Sequence, residues 1–171
     1  MRHHNFKMDF RKAEVMNSVM EIIPFESRYA ADFKRLNLEW LQRYFTVEPI
    51  DEEVLSRPDA IIQNGGALLL ARSDGRIVGT CALLHEGDGR FEVSKTAVTA
   101  EQQGKGIGRQ LVAAAIAEFV KINGRELFLE TNTALRAAIA LYESLGFVHA
   151  PRPTPSHYAR GNVYMIYRQL T

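Results

Sequence analysis

The sequence predicts an α+β (mixed α/β) fold, with a central mixed sheet, mostly antiparallel and of about seven strands, flanked by about four helices. Three observations predict it. Two β-rich segments, 67–73 and 77–86, surround Asp74-Gly75, a pair typical of a tight hairpin turn. A third strand at 91–98 continues this antiparallel meander. The chain then passes through a helix to a further strand, and such a β-α-β crossover is right-handed and makes its two strands parallel.

The first half of the chain combines one strand with helical segments. Residues 19–26 have the composition of a strand. Residues 28–45 carry apolar side chains at helical spacing and predict a long helix. Pro49, Pro58 and Gly65–Gly66 interrupt the next stretch, which predicts a short helical turn and a loop. The apolar stripe of the long helix consists of Phe33, Leu36, Trp40, Leu41 and Tyr44.

The second half contains the β-α-β unit and a closing pair of strands. A helix is predicted from about residue 106 to residue 122, where Asn123-Gly124 ends it. The remaining elements are, in order, a strand over 126–131, a helix over 134–145 that Gly146 ends, and strands over 147–150 and 163–170.

Composition and charge limit the class of protein. With 171 residues, 46% hydrophobic residues and a formal net charge of +1, the chain has the composition of a globular domain, and its charge does not favour nucleic acid as a partner. Its apolar runs are shorter than the roughly 20 residues of a membrane span, so no membrane partner is expected. We expect one domain at 19–171 and a cytoplasmic location. Residues 1–18 are interpreted as an N-terminal extension, either disordered or in part a cloning remnant.

Cys81 is the single cysteine, so an internal disulfide is excluded. Its place inside a predicted strand, in the segment VGTCALL, predicts a small buried side chain rather than a nucleophile. His149 and His157 have no Cys, Asp or Glu at the spacing of metal ligands, so no metal is expected.

Three glycines, Gly104, Gly106 and Gly108, stand where the helix at 106–122 must begin. A helix N-terminus exposes N–H groups without intrahelical partners and carries a partial positive charge. Without side chains an anion can approach these N–H groups, and Lys105 adds charge at the rim. The spacing fits neither the Walker loop nor the dinucleotide fingerprint. The turn is predicted to bind a pyrophosphate, with close packing on the sheet as the alternative.

Two segments resemble the GCN5-related N-acetyltransferase (GNAT) superfamily. TAVTAEQQGKGIGRQLVAAA, residues 96–115, is similar to its signature segment, with Gln103 to Gly108 matching the element Q/R-x-x-G-x-G/A. LFLETNTALRAAIALYESLGF, residues 127–147, is similar to its second half. The resemblance covers about residues 19–171. It implies the GNAT-like acyl-CoA N-acyltransferase fold, acetyl-CoA as the cofactor, and transfer of the acetyl group to an amine.

The resemblance also implies which residues bind coenzyme A. Backbone groups of two strand residues would pair with the pantetheine arm, and N–H groups of the glycine turn would hold the pyrophosphate. Asn132 would hydrogen-bond the arm where the parallel strands separate, and Tyr142 would lie near the sulfur. The implied residues are Ala97, Val98, Gln103, Gly104, Lys105, Gly106, Ile107, Gly108, Asn132 and Tyr142.

Amide formation from a thioester needs a donor to the thioester oxygen, a base for the attacking ammonium and an acid for the leaving thiolate. The resemblance implies the N–H near Val98 as the donor and Tyr142 as the acid, although Tyr142 also fits the apolar stripe of its helix. Glu92 is the candidate base, with a salt bridge on the strand face as the alternative. In a regular strand Glu92 shares a face with Ser94 and Thr96, and a bulge before Val98 would change that parity.

The first helix, the acidic loop at 48–59 and the last hairpin are expected to surround the acceptor amine. Glu39, with the nearby acids, could attract a cationic amine, and Trp40 lies in the same segment. Tyr158 and Arg160 could hold an acceptor carboxylate. A plain surface role is the alternative for each of these residues.

The expected function is transfer of acetyl from acetyl-CoA to the amine of a small molecule, which could be amino-acid-like, by direct attack in a ternary complex. A protein or peptide acceptor and a non-catalytic acyl-CoA-binding module are the alternatives. The chain is expected to act as a monomer or homodimer.

Overall fold

A computed structural model describes residues 19–168. The predicted extension at 1–18 and the last residues of the final predicted strand, 169 and 170, lie outside the described residues. The strands are β1 (Met20–Pro24), β2 (Ala67–Ser73), β3 (Arg76–His85), β4 (Arg90–Val98), β5 (Glu126–Thr131), β6 (Phe147–His149) and β7 (Val163–Tyr167). The helices are α1 (Ala30–Tyr44), α2 (Pro49–Leu55), α3 (Pro58–Gln63), α4 (Ile107–Lys121) and α5 (Arg136–Ser144).

Residues 49–63 form two short helices, α2 and α3, where the sequence predicted one helical turn and a loop. The structure therefore has five helices within residues 19–168, against about four predicted. Pro49 and Pro58 each open a helix, at a position where the missing N–H is not needed. The Asp51 carboxylate accepts the N–H of Glu48 at 3.0 Å, which caps the first turn of α2.

The sheet confirms the predicted mixed and mostly antiparallel arrangement. Its strand order is β1-β2-β3-β4-β5-β7-β6. Strands β4 and β5, which α4 connects, form the parallel pair, and the other neighbours are antiparallel. Strand β7 lies between β5 and β6, so the last hairpin adds its second strand next to the parallel pair.

The parallel pair is short. Strands β4 and β5 are in register from Arg90 to Glu92 on one strand and from Glu126 to Phe128 on the other. Strand β4 then continues to Val98 along β3, and β5 continues to Thr131 along β7. The two strands thus separate beyond Glu92, and the sheet has a gap at its centre.

Helices cover both faces of the sheet. One face, here called the α4 face, packs against α4 and α5 around a core that includes Leu111 and Phe147. The other, the α1 face, packs against α1, α2 and α3 around Phe33 and Leu36. None of the helices within residues 19–168 has the length and apolarity needed to cross a membrane.

Leu111 and Val120 lie on the same helix and differ in burial, with exposed fractions of 0% and 54%. We expect Leu111→Ala to lower the free energy of unfolding by about 2–5 kcal/mol, because it leaves a cavity between α4 and the sheet. Val120→Ala, the matched control, should change it by about 0.5 kcal/mol or less. Urea unfolding measures both, and equal effects of the two variants would contradict this packing of α4.

Candidate active site

Strand β4 contains a bulge at Lys95. Thr80 is opposite Ala97 and Ala82 is opposite Ser94, so Cys81 faces two residues, Lys95 and Thr96. Lys95 has a φ of 51°, in the left-handed region that non-glycine residues seldom adopt. A bulge of this kind bends the strand and reverses the side-chain alternation that follows.

The bulge corrects one expectation. In a regular strand Thr96 would share the face of Glu92 and Ser94, but its hydroxyl instead donates to the sulfur of Cys81 at 3.4 Å. Because Cys81 belongs to the core of the α4 face, Thr96 lies on that face. Glu92 and Thr96 therefore contribute to opposite sides of the gap.

The backbone of Val98 points into the gap between β4 and β5. The N–H of Thr99 donates to the carbonyl of Val78 on β3 at 2.8 Å. Since residues of an antiparallel ladder alternate in direction, the N–H and C=O of Val98 point away from β3. The Val98 carbonyl accepts from the side-chain amide of Gln103 at 3.0 Å. The N–H of Val98 is left facing the space from which β5 has diverged.

The glycine turn opens α4 with an exposed row of backbone donors. Gly104 and Gly106 have φ values of 77° and 79°, and a Cβ added to either would meet no atom within 4 Å. The N–H of Gln110 bonds back to the Gly106 carbonyl at 3.1 Å. The N–H groups of residues 107–109 precede that first helical bond, so they stand at the positive end of the helix. This geometry fits a phosphate group.

Gly108 differs from the other two glycines. An added Cβ would lie 3.9 Å from side-chain atoms of Leu141 and Val98, which is ordinary contact. Its φ lies outside the left-handed region, so the backbone does not require glycine there. Lys105 is exposed and donates to the side-chain oxygen of Gln102 at 3.0 Å.

A cavity of about 500 Å³ fills the gap between β4 and β5. It extends from the start of α4 to the end of α1 and the β6–β7 loop. The predicted residues that line it are Trp40, Glu92, Ala97, Val98, Gln103, Gly108, Asn132, Tyr142, Tyr158 and Arg160. Gly104, Lys105, Gly106 and Ile107 are outside its wall, although they adjoin Gln103 in the chain.

Tyr142 projects from α5 toward the bulge. Its ring packs edge-on against Phe147, with 6.0 Å between centroids, and its hydroxyl lies near the Thr96 side chain. Burial raises the pKa of Tyr142 well above its ordinary value, so the phenol stays protonated at neutral pH. Tyr142 therefore both packs against the core and places a protonated phenol at the cavity.

Cys81 is fully buried, as predicted. Burial raises the pKa of its thiol to about 12, against a smaller opposing effect of the hydrogen bond from Thr96. A thiol in this state is a poor nucleophile, because the reactive form is the thiolate.

Glu92 lies half-buried in the cavity wall on the α1 face. Burial raises the pKa of its carboxyl to about 8, and the negative charges of Glu86 and Glu130 act in the same direction, while Lys95 opposes them. A carboxyl with a pKa near the working pH is suited to accept a proton from a bound group.

Beside Glu92 lies a buried ionic cluster, here called the Asp51 cluster, that was not predicted from sequence. The fully buried Asp51 carboxylate binds the Lys95 ammonium at 3.1 Å and both terminal nitrogens of Arg160, at 2.7 and 2.9 Å. Arg160 also binds Glu48 at 3.1 Å, and Lys95 donates to the Tyr158 hydroxyl at 2.9 Å. The cluster joins α2, the bulge and the β6–β7 loop.

Burial alone would raise the pKa of Asp51, but its hydrogen bonds from Arg160, from the Glu48 backbone and from Lys95 outweigh burial and lower it. Asp51 is thus ionised. Burial lowers the pKa of Lys95, and Asp51 opposes that effect. In the sequence Asp51 looked like one of several solvated acids. The sequence signal that could have revealed the Asp51 cluster was Lys95, a lysine in the middle of a predicted strand.

The predicted acceptor residues have different surroundings. Trp40 and Tyr158 line the cavity. The Arg160 guanidinium is bound to two carboxylates of the protein itself. Glu39 is outside the cavity wall, on the exposed side of α1, where it accepts from the Thr99 hydroxyl at 3.5 Å. Their roles in acceptor binding stay predictions.

The Asn132 side chain is occupied within the protein. Its amide nitrogen donates to the Arg160 carbonyl at 2.7 Å, and its oxygen accepts the N–H of Ala134 at 2.8 Å. Asn132 thus ties the end of β5 to the β6–β7 loop, and its contact with a cofactor stays a prediction. No cluster of three or more His, Cys, Asp or Glu that could hold a metal is found among residues 19–168.

Comparison with protein families gives one match that covers two thirds of the chain. A model described as "Acetyltransferase (GNAT) family" matches residues 34–147. That range contains the bulge, the glycine turn, Asn132 and Tyr142.

Curated proteins match parts of the chain. N-acetylaspartate synthetase of Rattus norvegicus is 36% identical over 87 residues, which are 50% of this chain and 29% of that protein. N-alpha-acetyltransferase RimI of Mycobacterium tuberculosis is 38% identical over 80 residues, which are 45% of this chain and 49% of that protein. The chain therefore spans less than a third of the first relative and about half of the second.

Solved structures match nearly the whole chain. An acetyltransferase of the GNAT family from Staphylococcus aureus Mu50 has a TM-score of 0.80 and 20% identity, covering 87% of this chain and 98% of that one. A GNAT superfamily phosphinothricin acetyltransferase from Sinorhizobium meliloti, solved in complex with acetyl-CoA, has a TM-score of 0.71 and 19% identity, with 86% of each chain covered. At such identities the likeness is one of fold.

Replacing Glu92 with Gln tests the raised pKa. The folded protein keeps the Glu92 proton up to about pH 8, whereas the unfolded chain releases it near the ordinary pKa of 4.5. Between these values the folded state binds more protons, so the free energy of unfolding falls as pH rises. We expect E92Q to flatten this slope in urea unfolding at several pH values across that window. Glu53→Gln, on the exposed surface of α2, should keep the wild-type slope, and an unchanged slope in E92Q would contradict the assignment.

The left-handed backbone of Lys95 predicts an unusual order of stabilities. Glycine in a strand is normally less stable than alanine by about 0.5–1 kcal/mol. At position 95 we expect the reverse, with K95G more stable than K95A by about 1 kcal/mol, because only the alanine has a Cβ that is strained at this φ. The pair S94A and S94G, at the preceding position of β4, should follow the normal order in urea unfolding. The normal order at both positions would argue against the bulge.

Proposed function

This chain belongs to the acetyltransferase (GNAT) family, and we propose that it transfers the acetyl group of acetyl-CoA to the amine of a small molecule by direct attack in a ternary complex. One observation carries the proposal. The outward N–H of Val98 and the two ends of the glycine turn, Gln103 and Gly108, border the same gap in the sheet, so a single extended ligand can contact both.

The donors that border the gap are of the type that coenzyme A requires. The pyrophosphate would be held by N–H groups from Gln103 to Gly108, where positive φ angles at two glycines leave the main chain open. The pantetheine arm would run along Ala97 and Val98 as an added strand, in the space that β5 leaves. Acetyl-CoA supplies an acetyl group activated as a thioester. In the structure of the phosphinothricin acetyltransferase this ligand is bound, and we extend its use to this chain.

Three groups of the chain would perform the transfer. The Val98 N–H would stabilise negative charge on the acyl oxygen while the new C–N bond forms. Glu92, in the ionised form that a bound ammonium favours, would accept the proton that the ammonium loses, directly or through water. Tyr142, protonated at neutral pH, would donate a proton to the thiolate as the C–S bond breaks. The buried and neutral Cys81 thiol supports direct attack by the amine, with no acetylated enzyme.

The Asp51 cluster supports a small acceptor. A peptide acceptor needs an open groove between the α1–α2 segment and the β6–β7 loop, where the chain on either side of the amine can extend. Here Arg160 of that loop binds Glu48 and Asp51 directly and links the two walls. The similarity to RimI, named an N-alpha-acetyltransferase, favours a peptide N-terminus as the second candidate.

The glycine turn can be tested with a matched pair of variants. Gly106→Glu introduces a side chain and a like charge at the pyrophosphate position, and we expect it to raise the Kd for coenzyme A at least about tenfold, or about 1.4 kcal/mol. Gly75→Glu imposes similar backbone strain at a φ of 75° in the β2–β3 turn, away from the cavity, and should leave that Kd unchanged. Calorimetric titration with coenzyme A measures both, and wild-type affinity in G106E would refute the cofactor site.

Thiol release from acetyl-CoA in the presence of a mixed amine panel distinguishes an enzyme from a binding module. We expect release to depend on amine and to decrease in G106E in parallel with coenzyme A affinity. Binding of coenzyme A without release for any amine would identify a non-catalytic acyl-CoA-binding module.

A further inference from the structure

We infer that the acceptor is a primary amine with an apolar body and no carboxylate, selected by the charge balance of the cavity wall on the α1 face. The inference rests on the proposed function and narrows its acceptor. It departs from the expectation that Tyr158 and Arg160 hold an acceptor carboxylate.

The two buried cations at this end of the cavity are already neutralised. Lys95 and Arg160 share Asp51, and Arg160 also binds Glu48, so two cations face two carboxylates. The side chains of Lys95 and Asp51 are 5% and 0% exposed. An acceptor carboxylate would have to displace Glu48 or Asp51 from Arg160 or remain unpaired, and an unpaired buried charge is strongly unfavourable.

Within residues 19–168, Glu92 is the carboxyl of this wall that has no cation of its own. Among residues 19–168 its electrostatic neighbours include two acids, Glu86 and Glu130, and one cation, Lys95, which is bound to Asp51 and Tyr158. Glu130 is paired with Arg152 at 3.2 Å. Without a partner the Glu92 carboxyl keeps its proton at neutral pH, and an ammonium bound beside it favours its ionised form. An acceptor with one positive charge and no negative charge matches this wall.

Arg136 also lines the cavity, but it does not alter this balance. It begins α5, which packs on the α4 face, whereas Glu92 and the Asp51 cluster are on the α1 face. Arg136 therefore lies on the side proposed for the cofactor, where a cation suits an anionic ligand.

The rest of the wall is apolar. Trp40, Leu41 and Phe45 of α1 and its C-terminal end line the cavity, and the rings of Trp40 and Phe45 are 5.7 Å apart. Such a surface gains free energy by covering apolar area of a ligand. An amine whose body is hydrocarbon or aromatic would use it, whereas a small polar amine would not.

Three matched amines separate charge from size: phenethylamine, phenylalaninol and phenylalanine. Phenylalaninol branches at the same carbon as phenylalanine but carries no carboxylate. We expect kcat/KM, measured by thiol release from acetyl-CoA, to be at least tenfold higher for phenylalaninol than for phenylalanine, and phenethylamine to resemble phenylalaninol.

Glu48→Gln tests the origin of the preference. This variant removes one of the two carboxylates on Arg160. It should lower the ratio of kcat/KM for phenylalaninol to kcat/KM for phenylalanine at least threefold. Glu52→Gln is the control, since Glu52 lies on α2, which Glu48 immediately precedes, is exposed and pairs with Lys34 at 3.1 Å. It should leave the ratio unchanged.

The outcomes separate the two proposals. Turnover of phenylalanine or of a peptide N-terminus at or above that of phenylalaninol overturns the inference and leaves the proposed transferase intact. If the ratio of kcat/KM for phenylalaninol and phenylalanine is the same in E48Q and wild type, the charge-balance explanation is overturned. Bound coenzyme A with no thiol release for any amine overturns both proposals.

Discussion

The bulge at Lys95 is the constraint on which the site depends. One additional residue in β4 reverses the alternation after position 95, so Thr96 faces Tyr142 and Cys81 while Glu92 faces the other side of the gap. Without it, the Val98 N–H would point toward β3 and be used in the sheet. The divergence of β4 from β5 then leaves that N–H unpaired by any strand. A local change in backbone geometry thus frees the N–H that we propose as the donor to the acyl oxygen.

Lysine is an unexpected residue for this position, because a left-handed backbone favours glycine and strains side chains by about 1–2 kcal/mol. The contacts of the Lys95 ammonium explain why a lysine is found there. The ion pair with Asp51 and the hydrogen bond to Tyr158 act only if the side chain leaves the strand toward α2. Buried ion pairs add little net stability compared with apolar packing, but they are specific in geometry. The Asp51 cluster therefore holds the bulge, α2 and the β6–β7 loop in one arrangement.

The fold was largely predictable and the site only in part. Hairpin turns, helical stripes and the β-α-β crossover determined the order of elements, because each is a local pattern. The helices at 49–63 were missed because a proline can either interrupt a helix or begin one, and Pro49 and Pro58 each begin a helix. The face of Thr96 stayed conditional on a bulge, because a bulge is decided by the contacts of Lys95 with residues more than 40 positions away. Arg160 was predicted near the acceptor, but its carboxylate partners depend on α2 packing against the last hairpin.

The two ends of the cavity differ in what they are made of. The glycine turn and Val98 offer main-chain N–H groups, which nearly any sequence of compatible conformation provides. The opposite end consists of side chains: Trp40, Glu92, Lys95 and Arg160. Under the proposed function, a substitution at that end can change which amine is accepted while the main-chain contacts proposed for coenzyme A stay the same. New acceptors could then be gained through single side-chain replacements, with the same acetyl donor.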